Sequence, residues 1–263
     1  MKKKMIIVLI ILIIIIAIGL TFVYYRSNYR FSSFAILDET DKINDAKKYG
    51  DDVVGWLRVE GTNIDLPLIR ADEDTDLLKG DYDFAWTNSF PDGTGNRPAF
   101  ISHNIRNVSP NPIVGDDTMT RFEQLMSFIY PDFMEENQFI EFTDSEGDTS
   151  LYRIYAVALL NDDQNASFSD TYSESEQKRY IKKAKRESMY DIDVDVNEDD
   201  LMLTLFTCTR FYGAATSYSF RVDARKLRDG EDKVYAKVKS NKNYEKIKER
   251  MEESESGEEN EKV

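Results

Sequence analysis

The sequence predicts a mainly β domain: a barrel or sandwich of about seven or eight short strands, with one long helix inserted late in the chain and an apolar helix at the N-terminus. Three observations lead to this prediction. Short runs of β-branched and aromatic residues recur between turn signals, only 173–188 has clear helix start and end signals, and 5–25 carries no charge.

The N-terminus is typical of a membrane anchor. Three lysines, at positions 2–4, precede 21 uncharged residues, 5–25, which as a helix would span roughly the 30 Å of a bilayer's hydrocarbon core. A cleaved signal peptide has a shorter apolar region and a small-x-small cleavage site. We therefore predict a transmembrane signal anchor over 1–26, with its lysines in the cytoplasm and the rest of the chain outside the cell.

The remaining chain divides into three parts. A juxtamembrane segment with a short helix occupies 27–50, the β domain occupies 51–228, and a charged acidic tail occupies 229–263. The stretch 251–263 contains six Glu and one Lys, which predicts a disordered or fraying tail. The formal net charge of −15 argues against nucleic acid as a partner, because phosphate binding needs a basic surface.

The predicted strands alternate with turns. A Gly-Thr-Asn turn at 61–63 splits 53–70 into two strands, and 97–103 is a short strand that ends at His103. The stretch 81–98 is rich in Asp, Asn, Gly and Pro and predicts a long loop. The other strands are 139–143, 151–160, 201–208 and 218–227.

Three helical segments are predicted after the anchor. A short amphipathic helix over 38–50 ends at Gly50, and a helical turn or two over 121–130 ends at Pro131. The long helix, 173–188, opens with a capping box and acidic residues and ends among basic residues, which matches the helix dipole.

Cys208 is the only cysteine in the chain and His103 is the only histidine. One cysteine cannot form an internal disulfide, and with one histidine it cannot supply the four ligands of a structural zinc site. No tight cluster of ligands stands out elsewhere, so we expect neither a metal nor another cofactor. The two residues are either a small buried side chain and a solvated one, or a nucleophile and its proton partner.

Strand ends can bring these two residues together with Arg221. Cys208 ends one predicted strand, Arg221 lies near the start of the next, and His103 ends an earlier one. With independent pKa values of about 8.5 and 6.5, a thiolate–imidazolium pair would form in under about 1% of molecules at pH 7. A guanidinium keeps its charge, stabilises a thiolate and can hold an oxyanion, so these three are the candidate catalytic residues.

The motifs resemble those of sortases, the membrane-anchored cysteine transpeptidases of Gram-positive surfaces. TLFTC, at 204–208, is similar to their Thr-Leu-x-Thr-Cys signature, SFRVDARKL to their arginine-containing last strand, and ISHN, at 101–104, to their histidine loop. The stretch 55–69, the long helix 173–188 and the helix ahead of the barrel resemble class B members in particular. The resemblance implies a sortase-like closed β-barrel over 51–228.

The resemblance also implies roles for individual residues. Cys208 would attack a sorting signal and form a thioacyl-enzyme. His103 would act as general acid and then general base, and Arg221 would stabilise the oxyanion and orient the substrate. Three further residues would bind the substrate: Thr207, Phe206 and Leu78.

The chain departs from the family pattern in three places. Ile-Ser at 101–102 replaces a common Tyr-Gly, Phe206 stands where a small residue is usual, and 13 residues separate the cysteine from the arginine of the last strand. This wide separation keeps Arg210 as an alternative arginine. Trp56 and Trp86 are predicted to pack in the core rather than to line a groove.

Partners and location follow from the resemblance. Substrates would be surface proteins or pilins with a C-terminal sorting signal, and the acceptor would be an amine of the peptidoglycan cross-bridge or of a pilin lysine. Transfer to water would make the enzyme a peptidase. The chain would be a single-pass protein of the cell membrane, with a cytoplasmic N-terminus and an extracellular catalytic domain. The alternative is a non-catalytic, membrane-tethered binding or scaffold protein. The sequence of such a protein would lack one of the three candidate catalytic residues.

Overall fold

The computed structural model of the chain describes residues 2–48, 50–70, 83–87, 95–161 and 171–261. The predicted groove residue Leu78 therefore lies outside the described residues. The helices are α1 (Lys2–Asn28), α2 (Thr40–Ala46), α3 (Pro131–Glu136), α4 (Glu174–Glu187) and α5 (Lys242–Glu261), and Phe122–Ile129 forms a 3₁₀ helix. Among the described residues, no helix is both long enough and apolar enough to cross a membrane.

Most of the described strands belong to one sheet. The strands are β1 (Arg30–Phe31), β2 (Val53–Val59), β3 (Asp65–Arg70), β4 (Ala85–Thr87), β5 (Ala99–Ile101), β6 (Phe139–Asp144), β7 (Thr149–Asn161), β8 (Tyr190–Ile192), β9 (Met202–Thr209), β10 (Tyr218–Lys226), β11 (Val234–Tyr235) and β12 (Val238–Ser240). Eight of them close into a barrel in the order β10-β7-β6-β2-β3-β4-β5-β9. This arrangement confirms the predicted mainly β barrel.

Local sequence explains most of these elements. The β2–β3 hairpin turns at Gly61, whose φ of +72° suits a residue without a side chain, and the Asn137 side chain occupies the space that a Cβ would need. The capping box predicted for α4 is present, with the Ser173 backbone N–H donating to Glu176. The strands β9 and β10 pair as antiparallel neighbours across the loop that joins them.

The barrel interior is filled by alternate side chains of its strands. Leu57, Phe100, Leu205 and Val222 are each fully buried there. The 3₁₀ helix, all of whose residues are buried, packs against β9 and β10. Trp56 packs in a second small cluster under α2, as predicted for a core residue.

One predicted boundary is confirmed and one predicted loop is wrong. The predicted helical turns end just before Pro131, as the 3₁₀ helix Phe122–Ile129, and Pro131 then begins α3, because its fixed φ and missing N–H suit the first helical position. The predicted loop 81–98 contains the strand β4, which has three residues and pairs in parallel with β3. A strand of that length is too short to show an alternating pattern in the sequence.

The stretch 251–263 is helical as far as Glu261, so of its two predicted forms the disordered one is wrong there. The helix α5 extends to Glu261, and Ile247 and Met251 are buried against the domain. The Tyr244 ring stacks on that of Tyr190 at 5.7 Å between centroids. Residues 244, 247 and 251 are spaced three and four apart, so an apolar stripe on one helix face holds an otherwise acidic segment in place.

Glu231 predicts a pH dependence of stability. Burial alone would raise the pKa of its carboxyl, but hydrogen bonds from Arg225 (2.6 Å) and the Arg228 backbone, with the charge of Arg153, hold it at about 2, below the ordinary 4.5. A depressed carboxyl pKa stabilises the fold above the unfolded value, and this contribution is lost as pH falls from 4.5 to about 2. We expect Glu231→Gln to melt at a lower temperature than the wild type at pH 7, with the gap narrowing towards pH 2. A gap that stays constant with pH would contradict this.

Candidate active site

The strands β9 and β10 and the segment just after β5 carry the candidate catalytic residues on the outside of the barrel. Phe100, Leu205 and Val222 lie in one row across these strands and point into the core. Because side chains alternate along a strand, the residues on either side of this row point outward. Cys208 and Arg221 are both on that outer face.

The register places His103 beside Cys208. In the parallel pairing of β5 with β9, Ile101 lies opposite Phe206, an offset of 105 residues. The pairing continues past the end of β5, because the Thr207 hydroxyl donates to the Ser102 carbonyl at 2.7 Å and the Ser102 N–H donates to the Phe206 carbonyl at 3.4 Å. One further residue at the same offset would bring His103, which lies just past the end of β5, level with Cys208 on β9.

Arg221 lies diagonally across from Cys208. In the antiparallel β9–β10 pair, Cys208 is directly opposite Ser219, and Arg221 is opposite Phe206. Diagonal neighbours on one face have Cβ atoms roughly 7–8 Å apart, a gap that an arginine side chain can span. Cys208 is exposed, so it is not the small buried side chain that a lone strand cysteine often is.

The Arg221 guanidinium is buried and held by two carboxylates. It is 4% exposed, its Nε donates to Asp223 at 2.7 Å, and its Nη1 donates to Glu187 at 3.1 Å. Its Nη2 is buried and finds no acceptor among the described residues. Burial would lower the pKa of Arg221, but Asp223 above all, with Tyr180 and Glu187, raises it, so the charge is permanent.

His103 is half-buried and packs on an aromatic ring. Its imidazole lies 5.2 Å from the ring of Trp86, which β4 brings alongside β5. Trp86 is thus half-buried beside His103, whereas the sequence predicted that it would pack in the core. The backbone after His103 is fixed by Asn107, whose N–H donates to the Asn104 side chain at 3.0 Å and whose amide donates to the Glu123 carbonyl at 2.8 Å.

Apolar side chains continue the outer face next to Cys208. Trp86, Ile101 and Phe206 follow one another across β4, β5 and β9, and each is half-buried. Phe206 is thus available to contact a bound peptide. Thr207 is not, because its side chain is fully buried and donates to the Ser102 carbonyl. The geometry gives Thr207 a different task, which is to hold the segment that carries His103.

The alternative arginine, Arg210, is exposed just beyond the end of β9. The loop that follows it is anchored by Phe211, which is fully buried, and by Tyr212, whose ring lies 4.6 Å from that of Tyr218. The described part of the chain contains no group of three or more His, Cys, Asp or Glu side chains able to hold a metal ion.

Sequence reasoning missed the residues that surround Arg221. Asp223 is 1% exposed and accepts hydrogen bonds from Arg221, from Tyr180 at 2.6 Å and from Thr204 at 2.9 Å. Tyr180 and Glu187 come from α4. The sequence contained two signals of these contacts. Asp223 is two residues from Arg221, so both side chains lie on the same face of the strand. Glu187 is an acidic residue at a helix C-terminus, where the helix dipole favours positively charged side chains.

Comparison with known proteins finds two class B sortases among the relatives of this chain. The chain is 25% identical over 175 residues to Sortase B of Staphylococcus aureus, covering 65% of this chain and 68% of that protein. It is 23% identical over 182 residues to Sortase B of Listeria monocytogenes, covering 64% and 67%. The chain is a homologue of class B sortases. This confirms the predicted resemblance and, with it, the sortase-type cysteine transpeptidase as the enzyme class. No protein-family model matches the chain.

Solved sortase B structures share the fold of this sortase homologue. The Clostridium perfringens sortase B structure has a TM-score of 0.58 at 23% identity, covering 70% of this chain and 99% of that one. The Staphylococcus aureus sortase B–substrate complex has a TM-score of 0.57 at 17% identity, covering 80% and 91%. The closed eight-stranded barrel of this chain is therefore similar in fold to sortase B.

Thr207→Val tests how the histidine segment is held. Valine keeps the shape of threonine but leaves the buried Ser102 carbonyl without its donor, so we expect a loss of about 1 kcal/mol in the free energy of unfolding and slower peptide turnover. The matched control on the same strand is Thr209→Val, because the Thr209 hydroxyl is buried without a partner among the described residues. Equal effects of the two variants on turnover would contradict the assigned task.

Proposed function

We propose that this protein is a membrane-anchored cysteine transpeptidase that cleaves a sorting signal, forms a thioacyl-enzyme on Cys208 and transfers the acyl group to an amine. The observation that carries the proposal is the register of β5, β9 and β10. In this register Arg221 is the diagonal neighbour of Cys208, and continuing the β5–β9 pairing two residues past Ile101 would bring His103 level with Cys208 on the other side. These are the three groups that acyl transfer to and from a thiol requires.

Acylation begins with the Cys208 thiolate. Its sulfur attacks the carbonyl carbon of the scissile peptide bond, and the carbonyl oxygen becomes an oxyanion. The oxyanion is assigned to the Arg221 Nη2, a buried donor without an acceptor among the described residues, which the bound substrate would have to uncover. As the intermediate collapses, the C–N bond breaks, His103 gives its proton to the departing amine, and a thioester remains on Cys208.

Transfer reverses the proton movements. An acceptor amine attacks the thioester carbonyl, and His103, now neutral, takes the proton that this amine loses. The C–S bond then breaks, the new amide leaves, and Cys208 returns as a thiolate beside protonated His103. Water in place of the amine would give hydrolysis by the same steps.

The substrates would be surface proteins or pilins with a C-terminal sorting signal, and the acceptor would be a cross-bridge or pilin-lysine amine. Support comes from the family and from the sortase B–substrate complex that shares this fold. The apolar face of Ile101 and Phe206 beside Cys208 fits the side chains of an extended peptide. From the sequence we also propose that Leu78 binds the substrate. We propose from the sequence, too, that the reaction uses neither a metal nor another cofactor.

Membrane anchoring rests on the sequence of 1–26 and puts the catalytic domain on the outer surface, as in a single-pass protein. Carbonate extraction of cell membranes tests it: an anchored chain stays with the membrane pellet, whereas a chain with no anchor is released. Protease added to intact protoplasts then reports whether the domain is outside.

Mass spectrometry of a trapped adduct tests the reaction. The purified protein is incubated with a panel of sorting-signal peptides and examined for a peptide thioester on Cys208. The expected result is an adduct with at least one peptide, absent in Cys208→Ala and released by an added amine. An exposed, alkylatable Cys208 that forms no adduct with any peptide would overturn the proposed reaction and favour a scaffold.

A further inference from the structure

We propose that α4 is part of the catalytic apparatus, because Tyr180, Glu187 and Asp223 lock the Arg221 guanidinium in place for the substrate. This inference rests on the proposed function. These three residues, the arginine clamp, do not touch the reacting atoms and act through Arg221. The long helix would then serve the reaction itself and not only the packing of the barrel.

The clamp holds Arg221 from two different elements. Asp223 comes from β10, two residues along the same strand face, and binds Nε at 2.7 Å. Glu187 comes from the last position of α4 and binds Nη1 at 3.1 Å. Each carboxylate takes a different edge of the planar guanidinium, so together they fix both its position and its orientation.

Tyr180 joins the two halves of the clamp. Its hydroxyl donates to the Asp223 carboxylate at 2.6 Å, and its ring centroid lies 5.6 Å from the Arg221 Cζ. Tyr180 and Glu187 are seven residues apart, so they lie on the same face of α4. Burial, and next the charge of Asp223, raises the pKa of the Tyr180 phenol, which therefore stays protonated as a donor.

The barrel surface is shaped to admit the helix. Ala158 lies opposite Arg221 in β7, and Ala156 lies opposite Asp223; both alanines are fully buried. These small side chains leave room for α4, which packs on β7. Larger residues there would push Glu187 away from Arg221, because the helix could not approach as closely.

The clamp leaves one donor of Arg221 unused. Its Nε and Nη1 are satisfied, whereas Nη2 has no acceptor among the described residues, on a side chain whose strand position is diagonal to Cys208. Buried polar groups are satisfied in the great majority of cases, although Arg97 and Arg153 also keep a buried Nε without an acceptor among the described residues. The Arg221 Nη2 is itself buried, so the substrate would have to uncover this donor before the oxyanion could accept a hydrogen bond from it.

Glu187→Gln in the full-length protein tests the clamp, with Tyr180→Phe as a second variant. Glu174→Gln, which removes the same charge from the exposed first turn of α4, is the matched control. We expect kcat for peptide transfer to fall about tenfold with KM nearly unchanged, since a misplaced group costs transition-state rather than ground-state binding. The control should match the wild type.

A double-mutant cycle separates positioning from general damage. In an Arg221→Lys background the planar guanidinium is absent. There Glu187→Gln should lower kcat by less than about twofold, because Glu187 acts only through that guanidinium. An equal loss in both backgrounds, or a loss of KM alone, would overturn the positioning role.

Side-chain NMR reads the clamp without any peptide. The Arg221 Nε–H, identified by its absence in Arg221→Lys, should exchange slowly with water in the wild type and faster in Glu187→Gln and Tyr180→Phe. Fast exchange in the wild type would overturn the clamp itself. If slow exchange is found but no peptide forms a thioester, the proposed reaction fails, and the catalytic role of the clamp fails with it.

Discussion

Replacing His103 with alanine is expected to lower peptide transfer by about 10²–10⁴-fold, the usual contribution of a general acid–base residue. The departing amine would have no proton donor at the level of Cys208. The fold should survive, because His103 is half-buried beyond the end of β5, where its ring contacts Trp86 and contributes little to the core. The measurement is steady-state transfer of the peptide that forms the trapped adduct.

Added imidazole provides the control for this variant. The alanine leaves a gap beside Trp86, and a free imidazole that enters it should restore part of the lost rate. Alkylation of Cys208 by iodoacetamide checks that the thiol is still exposed. A variant that keeps more than about half of the wild-type rate would show that His103 is not the acid–base residue.

Arg221→Ala is expected to damage both stability and turnover. It leaves the Asp223 carboxylate, which is 1% exposed, without its cation, and breaking a buried ion pair typically costs about 3–5 kcal/mol in the free energy of unfolding. It also removes the donor that the proposal assigns to the oxyanion, for which we expect a loss of about 10²–10³ in kcat. Denaturant unfolding and peptide transfer measure the two effects.

A double variant separates the two effects of losing Arg221. Arg221→Met with Asp223→Leu removes both buried charges at similar volume, so it should recover much of the lost stability. Its turnover should stay low, because no donor for the oxyanion returns. Recovery of turnover together with stability would assign the oxyanion role to another group, of which Arg210 is the first to test.

The parts of the fold that could be predicted are those that short stretches of sequence specify. The alternation in 53–70 and the turn at Gly61 specify the β2–β3 hairpin within 20 residues, and the capping box of α4 marks that helix without tertiary help. The strand β4 could not be predicted in this way, because it has three residues and forms only where β3 offers a parallel edge.

The candidate site was predicted only in its residue types. The proximity of Cys208 and Arg221 could be predicted, because their strands are consecutive and form one hairpin. The position of His103 depends on the parallel β5–β9 pairing, which has no local signal in the sequence. Thr207 was expected beside the substrate, yet strand alternation turns it inward. The role of Glu187 depends on where α4 docks, and docking is decided by packing on β7.

The parallel β5–β9 pairing has a consequence for the newly made chain. It joins residues 105 positions apart, and it is one of the seams that close the barrel. Contacts so distant in sequence form late in folding, because closing a long loop costs entropy that other native contacts must first offset. Until that seam closes, Cys208 is an ordinary thiol with no imidazole beside it. The protein therefore cannot begin to acylate itself before its folding is complete.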